Sequence, residues 1–134
     1  MSRFASTASI LAAVILGLAI PGKIAAHHSF AVFFDETRTV AIEGRVTAFR
    51  FTNPHGTIAL DVTAADGTVQ HWRVETNAPV VLQRRGWTRS SLHAGDIVRI
   101  DGWPSRDGKP YLRLRSATMP DGRAVGQAFG VGED

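Results

Sequence analysis

Residues 39–52, TVAIEGRVTAFRFT, carry the pattern that most restricts the fold of this chain. Apolar residues at positions 40, 42, 46 and 48 alternate with polar residues at 43, 45 and 47, and this period of two predicts a half-buried strand. Gly44 in the middle predicts a bend or bulge, and Phe49 and Phe51 continue the apolar face out of phase, as a bulge would require. A long, bent first strand is typical of small barrels in which one strand serves both halves of the sheet.

Turn signals divide the following chain into four more strands. The run Asn53-Pro54-His55-Gly56 ends the first strand, and Asp66-Gly67 predicts a tight hairpin. The remaining strand segments are TIALDVTA at 57–64, TVQHWRVET at 68–76, DIVRIDGW at 96–103 and YLRLRSATM at 111–119. Between the third and fourth strands, residues 78–85 (APVVLQRR) lose the alternation and are followed by Gly86, which predicts a short helix with a glycine cap.

This order of elements predicts an all-β domain over residues 27–122. Three strands, a short helix and two more strands fit a five-stranded, partly open OB-like barrel, with the helix between strands 3 and 4. An SH3-like barrel and a small β-sandwich are the alternatives. Residues 123–134 are rich in glycine and have few large apolar residues, so we expect a flexible tail.

Residues 1–26 have the pattern of a secretory signal peptide. Arg3 precedes the apolar run ILAAVILGLAI at 10–20, Pro21-Gly22 follows it, and Ala26 is a suitable last residue before cleavage. A retained anchor is the alternative, but a membrane span needs about 20 apolar residues and this run is shorter. We therefore expect a periplasmic or secreted protein that meets the membrane only transiently. Its first residue is His27, or Ala26 if cleavage falls one residue earlier.

Composition excludes several classes of function. The chain has no cysteine, so disulfides, thiolate metal sites and thiol catalysis are excluded. Arg3 and Lys23 lie in the acid-free leader, which leaves 13 of the 15 Lys and Arg residues against 12 acids. From this near-neutral charge, together with export, we expect no nucleic-acid partner.

The histidines are the best candidates for chemistry. A free N-terminal His27 offers its α-amine and its ring nitrogen, and this pair suits Cu(II), with Zn(II) or Ni(II) less favoured. His28 adds a second ring, and His55 in the predicted turn is the best third ligand. The predicted metal ligands are therefore His27, His28 and His55, with Cu(II) the only cofactor expected and no catalytic residue. Inert histidines at a terminus and a turn are the simpler alternative.

A second hypothesis gives the barrel a binding face and no metal. The side chains of Arg73, Arg99, Arg113 and Arg115 are predicted on outward faces of successive strands, where they would form a basic surface for an envelope protein or glycan. Interleaved acids argue for an ordinary solvated face instead. An enzyme is not expected, since no serine has a convincing base and acid partner.

Several motifs together resemble a family of small exported bacterial proteins of unknown function. They are AHHSF at 26–30, Phe34-Asp35, Gly44 to Val46, TNPH at 52–55, RRGWTRSSLHAGD at 84–96 and PDGR at 120–123. The resemblance implies an exported OB-like barrel and brings no established activity. Its motif positions are His27, His28, Asn53, Pro54, His55, Gly86 and Trp87.

Overall fold

The computed structural model describes residues 27–133, and their side chains from Phe30 onward. The predicted leader lies outside the described residues. The elements in chain order are α1 (His27–Phe33), β1 (Val40–Arg50), β2 (Thr57–Thr63), β3 (Val69–Glu75), α2 (Pro79–Arg84), β4 (Ile97–Pro104) and β5 (Tyr111–Thr118). Neither helix of this described part is long and apolar enough to cross a membrane. Helix α1 was not expected from the sequence.

The strands form a barrel in the order β1-β2-β3-β5-β4. The predicted all-β, five-stranded OB-like barrel with one short helix between strands 3 and 4 is confirmed. The ring is closed rather than partly open, because β3 pairs in parallel with β5 over three residue pairs while all other neighbours are antiparallel.

Strand β1 belongs to both halves of the barrel, as its length and glycine predicted. Its first half pairs with β4 and its second half with β2, and both ladders include Arg45. The bulge lies between Val46 and Ala48, at Thr47, three residues beyond Gly44, where it was predicted. It explains the change of phase, since Val46 before the bulge and Phe51 after it are both buried. A Cβ atom at Gly44 would lie 2.6 Å from the carbonyl oxygen of Asp61, so the glycine admits the close approach of β2.

The barrel interior is filled by the alternate side chains of all five strands. Its fully buried members include Val46, Ile58, Leu60, Val74, Val98, Ile100, Leu112 and Leu114. Helix α2 covers one end with buried Leu82. It ends in a Schellman motif, in which Gly86 has φ +85°, its N–H donates to Gln83 O and the Trp87 N–H donates to Leu82 O at 3.0 Å.

Residues 123–133, expected as a flexible tail, lie against the barrel in the structure. The Val125 N–H donates to Ala117 O, and the Phe129 N–H donates to Arg115 O at 2.8 Å. The Phe129 side chain is buried, and the Arg85 guanidinium lies 5.1 Å from its ring centroid. The buried ring of Phe129, the backbone hydrogen bonds and the ion pair of Arg85 with Glu133 together hold this glycine-rich segment, and composition alone did not reveal this.

Candidate metal-binding site

The strand register aligns polar residues in two rows across the outer face of β1, β2, β3 and β5. One row consists of Arg50, Thr57, Glu75 and Arg113. The adjacent row contains Ala59, Arg73 and Tyr111. The residues between them, such as Val74 and Leu112, point into the core. We call these two rows the outer polar face.

Glu75 is the centre of this face. Its Oε1 lies 3.0 Å from His55 Nδ1 and accepts a hydrogen bond from Arg113 Nη1 at 3.3 Å, and its Oε2 accepts one from the Tyr111 hydroxyl. Burial raises the pKa of Tyr111 to about 12, and the hydrogen bond to Glu75 acts in the same direction. The phenol therefore stays protonated and keeps donating at neutral pH, so the Glu75 carboxylate is held on three sides.

His55 lies in the turn that connects β1 and β2, where its side chain is half exposed. Gly56, the residue after His55, attaches this turn to the end of β3 by two backbone hydrogen bonds. The Thr76 N–H donates to Gly56 O at 2.9 Å, and the Gly56 N–H donates to Asn77 O at 3.2 Å. A carboxylate can only accept, so a neutral His55 ring that donates to Glu75 carries its hydrogen on Nδ1. In the neutral ring Nε2 then keeps its lone pair, and it has no hydrogen-bond partner among the side chains that the structure describes.

Arg113 was expected on an exposed basic surface, and that expectation is wrong. Its side chain is only 3% exposed, because Phe30 of α1 covers the guanidinium at 5.3 Å from the ring centroid. It also donates to Thr76 O at 2.8 Å. Of the other predicted members of that surface, Arg99 pairs with Asp101 at 3.2 Å, whereas Arg73 and Arg115 remain exposed. A covering helix could not be foreseen from strand alternation.

Helix α1 reaches the outer polar face through an aromatic cluster. The ring of Phe30 lies 5.5 Å from that of Phe34 and 5.6 Å from that of Trp103, and Phe34 lies 5.0 Å from Tyr111. Phe30 follows His27 by three residues, so the start of α1 and the turn of His55 are connected through Arg113 and Glu75. The side chains of His27 and His28 lie outside the described part of the structure, so their place as ligands stays a prediction.

Among the side chains that the structure describes, no group of three His, Asp or Glu residues could hold a metal ion. His71 pairs with Asp61 at 2.6 Å and is 83% exposed, and His93 lies 3.8 Å from Asp96. Each is an isolated surface pair. His55 with Glu75 is the pair that is tied into a larger network. Sequence reasoning missed Glu75 and Tyr111, which are 20 and 56 residues from His55, because only the strand register brings them together.

Comparison with known proteins places this barrel in a family. The model of a family of unknown function, DUF6152, matches residues 15–112. The chain belongs to DUF6152. The predicted resemblance to a family of unknown function is thereby confirmed in this coarse form. Among curated proteins none matches.

Comparison with solved structures finds similar chains. One is a small single-stranded DNA-binding protein from Streptomyces coelicolor, with 22% identity, a TM-score of 0.46, and coverage of 64% of this chain and 94% of that chain. Another is TiaS in complex with a tRNA and ATP, with 19% identity and a TM-score of 0.46. That match covers 64% of this chain and 19% of TiaS, so the DUF6152 chain spans about a fifth of its length.

These structures correct one expectation. The exclusion of nucleic acid as a partner is wrong, because one of these similar proteins is named for binding single-stranded DNA and the other was crystallised with tRNA. At these identities the likeness shows the fold alone, and it assigns no partner to the DUF6152 chain.

Proposed function

We propose that this protein is an exported, non-enzymatic binding protein that holds Cu(II) between His55 and the N-terminal histidines His27 and His28. The observation that carries the proposal is the contact of His55 Nδ1 with Glu75 Oε1 at 3.0 Å. Histidines that bind metals almost always donate their second ring N–H to a carboxylate, a carbonyl or water, and this bond orients the ring and raises the basicity of the ligating nitrogen.

The surroundings of Glu75 support this role. A carboxylate that orients a metal ligand is itself held by hydrogen bonds in well-formed sites. Tyr111 and Arg113 hold Glu75 in this way, and Arg113 is in turn fixed by Phe30 and the carbonyl of Thr76. The exposed pairs of His71 and His93 lack such support, which singles out His55 among the described histidines.

The position of α1 supports the other ligands. Phe30 packs on Arg113, and Arg113 is hydrogen-bonded to the carboxylate that holds His55. Three residues of helix separate His27 from Phe30, and they span about 4.5 Å at the usual rise per residue. An α-amine and an imidazole of His27, with the rings of His28 and His55, are ligands that suit Cu(II). The amine becomes available only if the leader is cut after Ala26.

A competition titration tests the proposal. The exported protein is purified, its N-terminus is verified by intact mass, and Cu(II) affinity is measured against a chelator. We expect sub-micromolar affinity, a loss of at least tenfold in His55→Ala, and a similar loss when one serine is added before His27. His71→Ala is the matched control, because His71 also pairs with a carboxylate but stands alone on the surface.

The proposal is overturned if the exported protein binds Cu(II) no more tightly than a His27→Ala, His55→Ala double variant. It is equally overturned if His71→Ala loses as much affinity as His55→Ala. In either case the histidines are incidental, and the adaptor hypothesis becomes the one to pursue, with Arg115 rather than the buried Arg113 on its exposed surface.

A further inference from the structure

A second feature of the outer polar face is an open groove beside the His55–Glu75 pair. It has a volume of about 340 Å³ and is lined by Arg50 from the end of β1, Thr57, Ile58 and Ala59 from β2, and Arg73 from β3. Thr57 lies opposite Arg50 on one side and Glu75 on the other in the strand ladders. The groove therefore adjoins the candidate metal ligand and does not include it.

The side chains of the two arginines of the groove are not paired with carboxylates, unlike those of four other arginines in the described chain. Arg85, Arg99, Arg113 and Arg123 each pair with a carboxylate. Within residues 27–133 neither Arg50 nor Arg73 forms an ion pair, and the only partner of Arg73 is the Tyr111 ring, 5.4 Å from its guanidinium carbon. Both side chains are exposed, so their donors are available to a ligand.

The local charge also favours an anion. The acid nearest in register is Glu75, which already contacts His55 and accepts hydrogen bonds from Tyr111 and Arg113. Counting Arg50, Arg73 and Arg113 against Glu75 and Asp61, this part of the face carries a net charge of about +1 when His55 and His71 are neutral, by simple pairing of opposite charges. No carboxylate lines the groove itself.

We propose that the groove binds the phosphoryl group of a ligand, with Arg50 and Arg73 as its two guanidinium donors and the Thr57 hydroxyl between them. A guanidinium presents donors in a planar fork that matches two oxygens of a phosphate, and charge-assisted hydrogen bonds of this kind are roughly twice as strong as neutral ones. The hydroxyl of Thr57 can donate to a third oxygen. This site needs no metal, and it stands whether or not the protein binds Cu(II).

The test measures phosphate binding by the exported protein after metal has been removed with a chelator. Arginine side-chain NMR signals are followed while inorganic phosphate is added, and in a parallel titration while a single-stranded oligodeoxynucleotide is added. We expect the signals of Arg50 and Arg73 to shift together. The double variant Arg50→Gln, Arg73→Gln should lose at least tenfold in affinity for whichever probe binds, whereas the matched control Arg99→Gln, Arg115→Gln on β4 and β5 should keep it.

The two titrations also identify the source of the phosphoryl group. Tighter binding of the oligodeoxynucleotide than of inorganic phosphate, lost in the Arg50, Arg73 variant, supports the site and assigns it to a phosphodiester chain. Binding of inorganic phosphate alone supports it for a free phosphate. The proposal is overturned if neither probe binds, or if the control variant loses as much affinity as the groove variant. Because the protein is free of metal, these outcomes are separate from those of the Cu(II) titration.

Discussion

The imidazole of His55 and the carboxylate of Glu75 meet with 3.0 Å between Nδ1 and Oε1, although 20 residues separate them in the chain. The turn after β1 supplies the histidine, and the last residue of β3 supplies the acid. The ring of His55 is half exposed, and Tyr111 and Arg113 donate hydrogen bonds to the same carboxylate. The contact with Glu75 restrains the histidine ring, as the proposed role of His55 as a metal ligand requires.

The first prediction concerns the acid that orients His55. Glu75→Gln keeps the size of the side chain but removes the negative charge that stabilises the Nδ1–H tautomer. We expect it to lower Cu(II) affinity by about 10- to 100-fold, the usual effect of losing such a partner of a metal ligand. The measurement is the same competition titration. Asp61→Asn, which alters the carboxylate partner of exposed His71, is the control and should leave the affinity unchanged. Equal losses in both variants would contradict a specific role for Glu75.

The second prediction concerns stability at alkaline pH. Burial raises the pKa of Tyr111 from 10.0 to about 12 in the folded protein. Between these two values the unfolded chain releases the phenolic proton and the folded protein retains it, so stability that is fully present below pH 10 declines as the pH rises toward 12. We expect Tyr111→Phe to lack this component of the decline. Urea unfolding at a series of alkaline pH values measures it, and parallel curves for the two proteins would show that Tyr111 does not contribute.

The third prediction concerns the glycine-rich C-terminal segment. The side chain of Phe129 is 3% exposed and stacks against Arg85. Removing a buried phenyl ring leaves a cavity, so Phe129→Ala should lower the free energy of unfolding by about 3–5 kcal/mol. Val131→Ala is the control, because Val131 is 59% exposed and should change stability very little. Denaturant unfolding of both variants provides the comparison. If Phe129→Ala is as stable as Val131→Ala, the segment does not pack on the barrel in solution.

The fourth prediction concerns the glycine at which β1 passes from one half of the barrel to the other. A Cβ atom at position 44 would meet the Asp61 carbonyl at 2.6 Å and a Val62 methyl at 3.0 Å. Relief of this contact requires a shift of backbone, so Gly44→Ala should destabilise the protein by about 1–3 kcal/mol. Thr47→Ala, at an exposed position on the same strand, is the comparison. Thermal unfolding measures the stability of both variants. A Gly44→Ala variant as stable as wild type would mean that the backbone of β2 shifts away from position 44 with no loss of stability.

Much of the fold was predictable because its signals are local. The alternation of β1, the Asp66-Gly67 hairpin and the glycine after α2 each concern residues within a few positions of one another, and all appear in the structure. The position of the bulge was predicted three residues too early, since a glycine marks where strands approach closely as well as where they bulge. Helix α1 was missed because seven residues carry too little periodicity to distinguish a helix from a loop.

The candidate site was only partly predictable, for a different reason. His55 could be selected from its place in a turn. The other residues of its network, Glu75, Tyr111 and Arg113, lie on β3 and β5, and no local sequence pattern predicts the pairing of these two strands. Arg113 shows this most clearly: alternation placed it outward with the other arginines, and the packing of Phe30 then buried it. The same register created the groove between Arg50 and Arg73, which are 23 positions apart in the chain.

The sequence by itself therefore determined the class of fold, the number of barrel strands and their order along the chain, and the histidine in the first turn. The tertiary structure alone decided the closure of the barrel and the docking of α1 and the C-terminal segment. It also decided that the carboxylate in contact with His55 is that of Glu75. The physical reason is that hydrophobic alternation and turn chemistry act between near neighbours in the chain. The contacts of the outer polar face instead depend on how separate strands align when they bury a common core.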